Sequence, residues 1–150
     1  MSNNTYILML VALIAGAMMP TQAATNNKMA AVLSSPILAA FLSFVIGTLA
    51  LLVFAIVSGN GLSSLSAAKD APPIAWVGGF LGAFFVTATV MLVPRLGVAM
   101  TFSLIIAGQM LVTLVIDHFG LLGVPVKEVS LARFGGVVLI TAGVVLIRRF

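Results

Sequence analysis

Five separate apolar stretches, each about as long as a bilayer is thick, fill most of this chain: residues 6–24, 36–57, 74–93, 96–116 and 131–147. A helix needs ~20 mostly apolar residues to cross ~30 Å of hydrocarbon. Backbone groups in lipid must be satisfied within a helix or a closed barrel. Barrel strands would show alternation in segments of ~10 residues, and these runs are continuously apolar instead. The expected class is therefore all-α, a polytopic membrane bundle of five transmembrane helices forming a single domain over 1–150. Composition points the same way: 7% of residues are charged, against ~25% in soluble domains.

An odd count puts the chain ends on opposite sides of the membrane, so a second copy could insert upside down. Charge does little to choose an orientation. Lys69, Lys127 and Arg133 fall on the N-terminal side, and Lys28, Arg95, Arg148 and Arg149 on the other. Three against four is almost no bias under the positive-inside rule. A single orientation and dual topology both fit. The first segment is expected to stay as a helix. Thr21-Gln22-Ala23 resembles a cleavage site, but the leader Met1-Ser2-Asn3-Asn4-Thr5 has no basic region and four more spans follow.

Catalysis finds little to work with. The chain has no cysteine, one histidine and three acids, and neither a Ser/His/Asp set, a metal cluster nor a phosphate loop. An enzyme is not expected, and no cofactor or metal is implied. The basic residues lie scattered at segment ends, where they serve as interfacial anchors, so no nucleic-acid partner is implied; the lipid bilayer is.

The polar residues inside the spans are more informative. In the first, Pro20 has no amide hydrogen to offer the Gly16 carbonyl, and glycine at 16 permits close approach. Gln22 and Asn26 follow one turn apart on one face. A helix broken at Gly16 and Pro20, with free carbonyls and amides nearby, would suit a solute site; the bland reading is a kink with both amides at the interface. In the fourth, Gln109, Thr113 and Asp117 recur every four residues and should face the bundle interior. Gln109 and Thr113 would either bind substrate or join helices by hydrogen bonds. Asp117 and His118 would be interfacial anchors or a proton relay.

Helices 3 and 4 are expected to turn at Pro94-Arg95, loops to span 25–35, 58–73 and 117–130, and Arg133 and Arg148 to reach toward head groups. Close packing is signalled by Gly78 and Gly82, by Ala39, Ser43 and Gly47, and by Gly136 and Gly143. Trp76 belongs to an interfacial belt. No helix centre carries a charge, which favours a neutral or zwitterionic solute over a bulky cation.

In order along the chain, Gly16, Gln22, Asn26, Ser35-Pro36, Ser43 and Gly47 resemble the first half of the small five-helix inner-membrane transporters of YdcZ type. Trp76, Gly78-Gly79, Gly82, Pro94, Leu96-Gly97, Gly108-Gln109, Ile116-Asp117-His118-Phe119-Gly120, Arg133, Gly135-Gly136 and Gly143 are similar to the second half. That family belongs to the drug/metabolite transporter superfamily. The resemblance implies a multi-pass protein of the bacterial inner membrane and an exporter, with two five-helix halves forming an inverted ten-helix unit. The partner would be a second copy or a paralogous five-helix chain, and the cargo a small molecule. Carried over by position, Gln22, Asn26, Gln109 and Asp117 are the polar members of the pattern. Together these readings predict export by alternating access as an antiparallel dimer. A dual-topology passive channel and a non-transporting subunit of a larger complex are the alternatives.

Overall fold

The computed structural model describes residues 3–59 and 61–149, without the side chains of Asn3 and Arg148. The leader's Met1 and Ser2 and the Arg148 anchor thus lie outside the described residues. All regular structure among these residues is helical: α1 (Asn3–Leu33), α2 (Pro36–Val57), α3 (Pro73–Leu96), α4 (Val98–Phe119) and α5 (Leu131–Arg149), with 3₁₀ turns at Leu62–Asp70 and Leu121–Gly123. Four helices are long and apolar enough to cross a membrane, and the apolar run Leu131–Ile147 is shorter.

Exposed apolar side chains dominate the surface, including Leu131 at 92% and Phe80 at 79%. Soluble monomers rarely expose contiguous apolar patches beyond a few hundred Å². Lipid accepts such a surface, and helix association there rests on close packing rather than on escape from water.

α1 departs most from expectation. It runs nine residues past the expected end at Ala24 and takes up most of the expected 25–35 loop. Hydrophobic length measures the span, not the helix: Met29, Ala30, Ala31 and Leu33 are strong helix formers that carry α1 beyond its polar segment. At ~1.5 Å per residue its 31 residues reach about 46 Å. The expected break is corrected too. α1 continues through Pro20, since a proline removes one hydrogen bond, here to the Gly16 carbonyl, and the helix on either side is long. Nothing approaches within 4 Å of a Cβ built on Gly16.

α1 stops at Ser34, whose left-handed φ of 52° lets the Ser35 amide donate to the Ala30 carbonyl at 3.2 Å, a Schellman-type closure. Ser35 then caps α2, its side chain accepting from the Leu38 amide, with Pro36 as the first helical residue. A two-residue turn folds α2 back along α1.

The chain divides into two compact units, Met1–Pro94 and Arg95–Phe150. In the first, Ala23, Ala39 and Ala40 are almost fully buried, so α1 and α2 approach closely. Val86 and Val90 of α3 pack with Ala40, joined by Ala30 and Phe85. A Cβ on Gly82 would sit 3.4 Å from the Phe44 ring, so this expected small residue does mark a contact with α2.

Gly97 begins the second element pair. The expected turn at Pro94-Arg95 is displaced: α3 runs to Leu96, and the one non-helical residue before α4 is Gly97, with φ 79° and ψ 162°. That region is essentially reserved for glycine. Its carbonyl accepts from the Thr101 amide at 3.2 Å and the Thr101 hydroxyl at 2.7 Å. α4 extends to Phe119, so Asp117 and His118 lie in its last turn rather than in a loop. In the second unit, Thr101, Val137 and Val144 are buried.

Candidate functional site

Five residues soon after Pro20 carry most of the polar chemistry of α1. Three of these side chains turn back on their own helix: Thr21 donates to Ala17 O at 2.9 Å, Thr25 to Gln22 O at 2.9 Å, and Asn27 to Ala23 O at 2.9 Å. Such back-bonding satisfies a polar side chain in a membrane helix without a partner helix. Gln22 crosses instead, its Nε2 donating to Ser43 Oγ of α2 at 3.3 Å. Asn26 does neither. It is 8% exposed, and its Nδ2 has no acceptor.

These residues meet at a cavity of about 270 Å³ between α1 and α2. Gln22, Thr25, Asn26 and Ser43 supply its polar wall, and Met29, Ala39, Leu42 and Ile46 its apolar wall. Gln22 is exposed, Ser43 half-buried and Asn26 buried, so polarity runs from an accessible rim to an enclosed floor. Across the Gln22–Ser43 bond lies a second cavity of about 200 Å³, bounded by Phe44, Gly47, Thr48 and Leu51. Gln22 also borders an open groove along α1 with Ile14 and Met18. Leaving a buried amide donor unmade costs about 1–3 kcal/mol, so Asn26 is an expense of the fold that packing alone does not explain.

Gln22 and Asn26 were expected to share a face, and the structure brings them together. It adds Ser43, which the sequence marked only as a small packing residue. The helical spacing of Ala39, Ser43 and Gly47 was the available signal: a stripe that faces α1 puts the hydroxyl against Gln22. Gln109 and Thr113 belong to the second unit. Both are exposed on α4, and among the described residues neither side chain has a hydrogen-bond partner.

Asp117 and His118 are held by the segment that follows them. Gly120 ends α4 in the left-handed region, with φ 61°, its amide donating to Ile116 O. A Cβ there would lie 2.7 Å from Val126 Cγ2. The chain then returns: Lys127 N donates to Asp117 O at 2.8 Å, and Val129 N to His118 Nδ1 at 3.3 Å. Arg133 of α5 donates through Nη2 to Asp117 Oδ2 at 3.2 Å and through Nη1 to Lys127 O at 3.1 Å. Ser130 accepts from the Arg133 amide at 3.3 Å, capping α5. The Asp117–Arg133 pair is partly exposed, where such pairs contribute about 1 kcal/mol or less. These contacts tie the end of α4 to the segment that follows it and to the start of α5. Among the described residues no group of three or more His, Cys, Asp or Glu could hold a metal ion.

Residues 7–146 match the model of the family described as "Putative inner membrane exporter, YdcZ". No curated protein and no solved structure matches the chain.

Proposed function

Because the chain belongs to the YdcZ family of inner-membrane exporters, we propose that it exports a small neutral or zwitterionic metabolite across the bacterial inner membrane by alternating access. The working unit is an antiparallel pair of five-helix chains, two copies or this chain with a paralogue. The observation that carries this reading is the α1–α2 cavity: apolar walls, an exposed Gln22, a half-buried Ser43 and a buried, unpaired Asn26. Solute sites are largely apolar with a few placed polar groups, and this seam has that composition.

Gln109 and Thr113 fit the same reading. Polar side chains facing lipid are costly, so both are expected to meet another helix, either along the solute path or in hydrogen-bonding contacts between helices. Proton coupling through Asp117 and His118 would require the Arg133 and Val129 contacts to open in each cycle.

The test is solute flux in proteoliposomes. Gln22→Ala is expected to lower flux about tenfold, the equivalent of losing ~1.4 kcal/mol, and Gln109→Ala to lower it less. Unchanged flux in both variants would remove these residues from the path. Paired C-terminal reporters, one active on each side of the membrane, should both give signal if copies insert in both directions.

A further inference from the structure

Cavity walls that carry no charge, and an amide donor with no acceptor, say something about the solute itself. Resting on the reading of the α1–α2 cavity as a solute site, we propose that its ligand is an uncharged molecule with a carboxamide-like group and a short branched apolar remainder.

The polar atoms define the first half of that description. Asn26 Nδ2 brings two N–H donors, and among the described residues nothing accepts from them. Gln22 spends one Nε2 N–H on Ser43 Oγ, which leaves Gln22 Oε1 as an acceptor and its second N–H and the Ser43 hydroxyl hydrogen as donors. With the buried Asn26 amide turned toward the cavity, a ligand carbonyl would take Asn26 and Ser43, and a ligand N–H would give to Gln22. One carboxamide satisfies all three, where a simple ether or ketone would leave Gln22 Oε1 unmatched.

Charge and size define the second half. None of the residues around the cavity is ionisable, so a carboxylate or ammonium would be desolvated with no counter-charge, a large penalty in an apolar setting. This narrows the neutral-or-zwitterionic class to its neutral members. The opposite wall, Met29, Leu42 and Ile46, offers methyl and methylene surface to an aliphatic tail. At about 270 Å³ the space lies just below the ~300–1,000 Å³ of sites that hold drug-sized ligands, so the solute is small.

The experiment uses the intact protein in lipid nanodiscs and radiolabelled isocaproamide, which has the amide, the branched tail and no charge. Isocaproate and isohexylamine, matched in tail and opposite in charge, serve as competitors. Saturable isocaproamide binding is expected, with both charged analogues competing at least tenfold less well. Asn26→Leu should weaken binding at least tenfold while unfolding at the wild-type temperature or above, because it replaces an unpaired buried donor with an apolar group. A merely structural asparagine would instead show a lowered unfolding temperature alongside lost binding, and that result overturns the proposal. So do equal competition by the charged analogues and the absence of saturable binding. Should Asn26→Leu fail to fold, the wild-type competition series decides alone. Selective binding without flux would uphold this assignment and remove the exporter reading. Isocaproamide flux indifferent to Asn26→Leu would do the reverse.

Discussion

In the α1–α2 seam Gln22 reaches Ser43 and Asn26 reaches nothing, whereas at the end of α4 Asp117, His118 and Arg133 each hold a partner. Both groups are polar, but the seam is uncharged and the α4–α5 cluster ionisable, and the settings differ as well. The α4–α5 cluster is partly exposed and lies where two helices meet an irregular segment, so backbone amides and carbonyls are at hand to complete it. The seam joins two regular helices, whose backbone groups are already committed to their own turns. A polar side chain there can be met by another side chain, by its own helix, or by a bound solute. The complete pairing fastens the end of α4, and on the proposed reading the incomplete pairing of the seam is met by a solute.

The largest effect that would sharpen this contrast belongs to the fastening. Gly120→Ala puts a Cβ against Val126 in a left-handed residue, and is expected to destabilise by about 2–3 kcal/mol. Thermal unfolding in detergent measures it, and flux should fall only as far as folded protein is lost. Next comes Ser43→Ala, which removes the partner of Gln22. Flux should drop several-fold, while stability changes by about 0.6 kcal/mol, the usual size of an interhelical hydrogen bond in lipid. A large stability loss with unaltered flux per folded molecule would make the seam a fastening as well. The smallest is Asp117→Asn. A double-mutant cycle with Arg133→Gln should return a coupling of about 0.5–1 kcal/mol in stability, and flux per folded molecule should hold. Loss of flux with intact folding would restore Asp117 to the transport path.

Much of the frame was legible in the sequence. The five apolar runs each became a helix, and Ser35-Pro36 marked the start of α2. The ends were harder, for a physical reason: a bilayer limits apolar length, while hydrogen bonding and turn residues limit the helix. Thr25 and Asn27 look like loop residues until their side chains are seen bonding back to α1. Pro94 looked like a turn, yet Gly97 is the residue whose dihedral angles only glycine holds easily. Within the site, the four-residue spacing of Gln22 and Asn26 could be read directly. The Gln22–Ser43 bond needed the register of two helices, and Asp117–Arg133 needed the path of an irregular segment between residues 16 positions apart. Neither is written in local periodicity.

The Ser34–Ser35 turn reaches beyond packing into biogenesis. Two residues leave little slack for α2 to be threaded independently of α1, so the pair is expected to enter the bilayer as one hairpin with both outer ends on the same side. Whether a nascent copy points one way or the other is then decided for two spans in a single event. The only charged side chain in that hairpin is Lys28, a few residues before the bend, so one cation bears on which side of the membrane the bend faces.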